Sequence, residues 1–251
     1  MNATRTPAEQ RTGLLDAALE AAGGIERWRA HGFLTAHLLQ AGALWAMKGQ
    51  KGVLDDVWID IALHQEWVSH HPFGAPGMLS SSTPRRVELR DSDGRTLEAL
   101  DDPRRSFAGQ AFDAPWTRIQ LAYFVGTAMW TYLTQPFCLT LPGFEVEELA
   151  PSTEDGTALR RLGVEWPAYL ASHSRRQTLY FDDAGRLARH DYDVEIVAGA
   201  PAAHLFDGFE TVDGITMPTR HRIQPRDPAG RIDTGNVIVA IDIDDMAFTQ
   251  L

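Results

Sequence analysis

"QTLYFDDAGRLARHDYDVEI", residues 177–196, sets two alternating segments on either side of Asp183-Ala184-Gly185. Successive side chains of a strand point to opposite faces. The second segment therefore puts His190 and Tyr192 on the face of Val194 and Ile196, with Arg189, Asp191, Asp193 and Glu195 on the other. Aspartate and glycine between two such runs signal a hairpin turn. The register through this turn is ambiguous by one residue, which leaves the facing of Arg175 and Gln177 open. An imidazole and a phenol on an apolar face have two explanations, packing or a site inside a cavity.

The same pattern continues to the end of the chain. "AHLFDGFETV" (203–212), Asp213-Gly214, "ITMPTRHRI" (215–223) and "NVIVAIDIDDMAF" (236–248) read as a β-meander. In its second strand Met217, Thr219, His221 and Ile223 share one face, so a histidine again joins the apolar side. Upstream, "VWIDIALHQEWV" (57–68) reads as one half-buried strand, and "RRVELRDSDGRTLEAL" (85–100) as a hairpin about Asp91-Ser92-Asp93-Gly94. "FLTAHLLQAGALWAM" (33–47) fits a strand pair or one long strand, with helix as the competitor. "EVEELAPSTEDGTALRRLGV" (145–164) reads as a looser acidic section.

Two helical regions complete the pattern. Thr6-Pro7-Ala8-Glu9 has the form of a capping box, and Leu14, Leu15, Ala18, Leu19 and Ala22 recur at helical spacing, giving a helical region over about 7–30 broken at Gly23-Gly24. "FDAPWTRIQLAYFVGTAMWTYLTQPF" (112–137) starts at Asp113 and Pro115 and stops at Pro136, predicting a helix over about 116–135 that is apolar nearly all round and must be buried. Thr, Gln and Arg interrupt it too often for a bilayer span, which needs about 20 mostly apolar residues. Stable membrane insertion is not expected. With no repeat or low-complexity linker, residues 1–251 read as one α+β domain.

A net charge of −11 with scattered basic pairs argues against a nucleic-acid partner, which would require clustered Lys and Arg. Cys138 is the only cysteine, so no intrachain disulfide forms, and its apolar neighbours predict a buried, inert thiol. The first residues lack the charged start and apolar run of a secretory signal, giving the expectation of a cytoplasmic protein. Phosphate-loop, dinucleotide-turn, nucleophile-elbow and zinc-helix motifs are absent. "IDIDD" lacks the glycine and distal glutamate of a calcium loop and reads as an outward strand face. His70-His71, before Pro72, read as loop residues.

If the two histidine-bearing strands line one concavity, His190, Tyr192, Thr219 and His221 project into an apolar space, and His204 and His37 are expected to join them. The 121–133 helix, with Tyr123 and Trp130, would then either fill a core or lie as a lid over a hydrophobic ligand. The histidines have three readings: satisfied core groups, acid/base residues, or metal ligands. Close-spaced ligand motifs are lacking, and neither metal nor cofactor is expected. In the acid/base reading His190 or His221 is the general base and Tyr192 donates a hydrogen bond to developing negative charge. In the binding reading His37, Tyr123, Trp130, His204 and Thr219 contact the ligand.

The order strand, D-x-x-G turn, strand, D-G-I-x-x-P, strand, closing strand, in "QTLYFDDAGRLARHDYDV … FETVDGITMPTRHRI … VIVAIDIDDMAF", resembles the lipoprotein-carrier (LolA/LolB-like) superfamily over about the last 75 residues. That resemblance implies a strongly curved antiparallel sheet, an incomplete barrel covered on its concave side by helices, and a cavity for an acyl, isoprenoid or polyketide-like molecule. "LAYFVGTAMW" and "HDYDVEI" also resemble stretches of a bacterial cytoplasmic branch. The fold is similar to that of a small cofactor-independent enzyme of violacein biosynthesis, which implies biosynthetic chemistry as the alternative. A structural or partner-binding module is the third possibility.

Overall fold

The computed structural model describes residues 13–154 and 156–251. Strands β1 (His31–Ala41), β2 (Asp56–Ala62), β3 (Trp67–His71), β4 (Leu79–Ser82), β5 (Arg86–Arg90) and β6 (Thr96–Asp101) form a first meander. A second runs through β7 (Glu145–Glu154), β8 (Thr157–Glu165), β9 (Arg176–Phe181), β10 (Leu187–Val194), β11 (Ala200–Val212), β12 (Ile215–Pro225) and β13 (Val239–Gln250). β13 pairs with β1, so the two join into one thirteen-stranded antiparallel sheet with β6 and β7 at its unclosed edges. One extra residue interrupts the register at this seam, where Thr35 faces Ala247 but His37 faces Asp244. Asp245 takes a left-handed conformation there, with φ 48°.

Helices α1 (Gly13–Ala21), α2 (Ile25–Arg29), α3 (Ala43–Met47) and α4 (Arg118–Thr134) complete the α+β fold. The Thr117 hydroxyl accepts from the Gln120 backbone N–H while the Gln120 side chain accepts from the Thr117 N–H, a capping box that fixes where α4 begins. Every residue from Ile119 to Thr134 is buried. The all-round apolar pattern thus reflects a helix lying in the bend of the sheet against β3, β4, β5 and β6. Among the described residues, no helix is long and apolar enough to cross a membrane.

Several elements differ from the sequence expectation. Residues 33–47 are β1 followed by α3, because Gly42 turns the chain at φ 128° and passes so near the Ile238 carbonyl that a Cβ would lie 2.2 Å from it. The segment 57–68 is a hairpin: its apolar alternation runs through a turn in which His64 Nε2 meets the His31 carbonyl at 2.8 Å and buried Glu66 accepts from the Ala171 N–H at 2.8 Å. His70 and His71 belong to β3, His70 fully buried. Residues 145–164 form the β7–β8 edge hairpin, whose solvated outer side hid the alternation. The N-terminal helical region breaks into α1 and α2 at Gly23-Gly24, both at positive φ; its expected capping box lies outside the described residues.

Candidate functional site

Alternation along β10, β11 and β12 brings the expected imidazoles together beneath α4. His190 of β10 stands directly opposite His204 of β11, and Phe206 of β11 opposite His221 of β12. All three histidines and Tyr192 are buried. Tyr132 of α4 closes the group from above: its hydroxyl lies 2.5 Å from the Tyr192 hydroxyl and 2.9 Å from His173 Nε2, and its ring stands edge-on to His204 at 4.2 Å. His173 comes from the β8–β9 connection and stacks on Tyr192 at 4.6 Å.

The hydrogen bonds fix the tautomers. Gln177 turns inward and gives its amide hydrogen to the Ser174 carbonyl, so its oxygen accepts from His190 Nε2–H at 2.6 Å and leaves His190 Nδ1 as a lone pair with no hydrogen-bond partner among the described residues. His221 Nε2–H donates to the Pro218 carbonyl at 3.2 Å, so its Nδ1 accepts from His204 Nε2–H at 2.9 Å, and His204 Nδ1 likewise has no partner among the described residues. Burial lowers the basicity of every ring: His173 to about 3, His221 to about 4, His190 and His204 well below the usual imidazole value. Burial also holds the Tyr132 and Tyr192 phenols above their usual range. The network is neutral at pH 7, and it relays hydrogen bonds rather than charge.

Beside it lies a hollow. α4 supplies Phe124, Val125, Ala128, Met129 and Tyr132; α3 supplies Leu44 and Trp45; β12 and β13 supply Ile223, Val239 and Ile241. Tyr192, Val194, Ala202 and His173 close the network side, Gln40 of β1 the other, and half-exposed Phe112 stands at the rim. Its volume is about 60 Å³, room for several waters, between walls that are mostly apolar.

The other expected residues lie elsewhere. His37 was expected inside, yet on β1 the inward set is Leu34, Ala36, Leu38 and Gln40, and His37 faces out. There Nδ1 meets Asp244 at 2.6 Å and Nε2 meets Asp56 at 2.8 Å, hydrogen bonds that raise its pKa. Asp244 and Asp245 bring carboxylates within 4.8 Å of this ring, and both of its nitrogens are engaged by carboxylates. Trp130 is buried away from the hollow, donating to the Ala62 carbonyl, and Tyr123 packs on Phe107. Thr219 gives its hydroxyl to the Gly208 carbonyl. Arg189 and Asp191 occupy the opposite face of β10 as expected but are buried, paired at 2.6 and 2.8 Å under the Gly230 carbonyl. Arg175 is exposed and pairs with Glu165. Cys138 is buried, which pushes its thiol to about 12.

Tyr132, His173, Gln40 and Trp45 were not anticipated. Tyr132 sits on a helix whose pattern is apolar all round, and His173 on a connection without periodicity, so alternation has no purchase on either.

No family model matches the chain, and no curated protein matches it in sequence. Similarity appears in three dimensions. A Vibrio parahaemolyticus domain named for outer-membrane lipoprotein sorting superposes with a TM-score of 0.52 at 12% identity, over 97% of this chain and 93% of its own. A DUF1329 family protein from Desulfovibrio piger gives 0.52 at 12%, over 94% of each chain. A LolA superfamily protein from Nitrosomonas europaea gives 0.51 at 13%, over 94% of this chain and 93% of its own. With the open antiparallel sheet wrapped around α4, these superpositions show that the chain has the LolA-like fold.

Proposed function

We propose that the protein binds a hydrophobic small molecule, of acyl, isoprenoid or polyketide-like chemistry, between the concave face of the sheet and α4. The observation that carries this reading is the hollow itself: apolar walls from α3, α4, β12 and β13 enclose space that the protein's own side chains leave unfilled. Interiors ordinarily pack without such gaps, and an unfilled apolar hollow costs stability that a guest recovers. The superposed LolA superfamily and lipoprotein-sorting proteins support a carrier-like role. Acid/base catalysis is the weaker reading, because His190 and His221 are far less basic than a general base working near neutral pH. A cytoplasmic setting is part of the proposal, and fractionation of the native host checks it.

Native mass spectrometry of protein purified from its own host tests the reading. A lipophilic mass of a few hundred daltons is expected to accompany the wild-type chain. Ala128→Phe, which projects a ring into the hollow from α4, is expected to lose it while its circular dichroism is unchanged. Equal retention by both proteins would place the guest elsewhere.

A further inference from the structure

The size of the hollow limits what enters it. Its volume of about 60 Å³ is room for about four to six waters, and a methylene takes up about as much space as a water, so it seats a hydrocarbon group of about four to six carbons. The walls that set this limit are firmly backed. Phe124, Val125, Ala128 and Met129 stand on α4, which is buried from Ile119 to Thr134, and Val239 and Ile241 stand on β13, paired on both sides at the middle of the sheet. Interiors packed in this way yield little, so a longer chain does not enlarge the space without displacing the core.

Charge decides which end of a guest goes in. Among the described residues, no Lys, Arg, Asp or Glu lines the hollow, and the Tyr132 hydroxyl is already engaged with the Tyr192 hydroxyl and His173. A charged group would be buried there without a counter-charge, so the end that enters is hydrocarbon. Beyond the rim at half-exposed Phe112, further methylenes remain in water and add nothing to binding. A long chain would leave most of its carbons in that position.

Resting on the binding function proposed above, we infer that the guest is an amphiphile with one short hydrocarbon end of about four to six carbons, a short acyl group or a single isoprene unit, rather than a long-chain lipid. The short end enters the hollow, and the polar remainder stays in water beyond Phe112.

NMR titration with n-alkyl β-glucosides from butyl to decyl, each below its micelle concentration, holds the polar part constant and varies only the chain. For the wild-type protein the affinity is expected to rise about fourfold per methylene up to about hexyl and to stay flat from there to decyl. Met129→Ala, which cuts back the α4 wall, is expected to move the break to about octyl. A rise that continues unbroken to decyl overturns the short-group inference and leaves hydrophobic binding standing. A break at hexyl that Met129→Ala leaves in place puts the chain outside the hollow and overturns the inference as well. If no glucoside binds wild type, the binding function falls with it. Should Met129→Ala not fold, Val239→Ala is read in its place, with the break expected at about heptyl.

Discussion

Glu66 shows what a single buried residue does to this protein. The turn between β2 and β3 carries its carboxyl inward, where burial raises its pKa to about 8 against the opposing effects of the Ala171 N–H and Arg104. The folded protein thus holds a proton that the unfolded chain, with an ordinary value of 4.5, has released. The stabilising effect of that proton is complete below pH 4.5 and is lost as the pH rises through 8, a decline on the order of 4–5 kcal/mol. Glu66→Gln keeps an acceptor for Ala171 and has no proton to lose. Urea unfolding at pH 5, 7 and 9 is expected to show the variant close to wild type at pH 5 and more stable by several kcal/mol at pH 9. Parallel pH curves would place the Glu66 proton at its ordinary value. Nothing in "VWIDIALHQEWV" announced this residue, because a polar side chain at a turn reads as solvated. The inward facing of His190, Tyr192, His204 and His221 was legible because alternation decides it once a strand is assigned, but of the four only Tyr192 lines the hollow. The facing of His37 was not legible. β1 exposes Phe33 and Leu39 at 44% and 45% while burying Gln40, so hydropathy pointed to the wrong side of that strand.

Among the elements, α4 was the most legible, expected over 116–135 and found at Arg118–Thr134, because proline marks one end and a capping box fixes the other. Hairpins with Asp-Gly turns were equally clear. The short α3 and the β2–β3 hairpin were hidden, since their boundaries are set by contacts with Ile238, just before β13, and with the 166–175 connection, far away in sequence. What seats α4 is a glycine. A Cβ on Gly126 would lie 2.5 Å from the Cβ and hydroxyl of Ser82, so helix and β4 approach more closely than any other residue allows. Helix propensity favours alanine over glycine by about 1 kcal/mol. Overpacking against a strand costs about 1–3 kcal/mol, and here the second effect outweighs the first. Gly126→Ala is expected to destabilise the protein by about 1–2 kcal/mol in chemical denaturation. In a Ser82→Gly background the same change is expected to be neutral or stabilising, because the obstruction is gone and only propensity remains. A double-mutant cycle without coupling between the two sites would show that α4 has room to move.

At the scale of the whole molecule, the C-terminal meander announced the fold, whereas the join between β1 and β13 did not: it pairs strands far apart in sequence at the middle of the sheet, and no local pattern specifies such a pairing. Curvature around α4 removes imidazoles from water. His70 and His173 are held to about 3 and His221 to about 4, His190 and His204 lie well below the usual value, and burial is the largest cause in each. In the unfolded chain all five return to about 6.5. As the pH falls below 6.5 the unfolded state therefore takes up protons at these rings that the folded state holds off. Their stabilising effect is complete above pH 6.5 and is lost as the pH falls. Glu66 works in the opposite sense over this range and offsets one of these rings, so the net effect lowers stability as the pH falls, by about 1.4 kcal/mol per pH unit for each further proton taken up. A domain stable by about 5–15 kcal/mol does not withstand several such protons for long. Cooperative acid unfolding is expected with a midpoint between about pH 4 and 6, followed by far-ultraviolet circular dichroism. His70→Phe removes one of the five protons without touching the hollow, so its transition is expected to be shallower by about 1.4 kcal/mol per pH unit and to move to lower pH. A wild-type protein that stays folded through pH 4 would mean that these rings accept protons in place, and that the interior beneath α4 is wetter than its apolar walls imply.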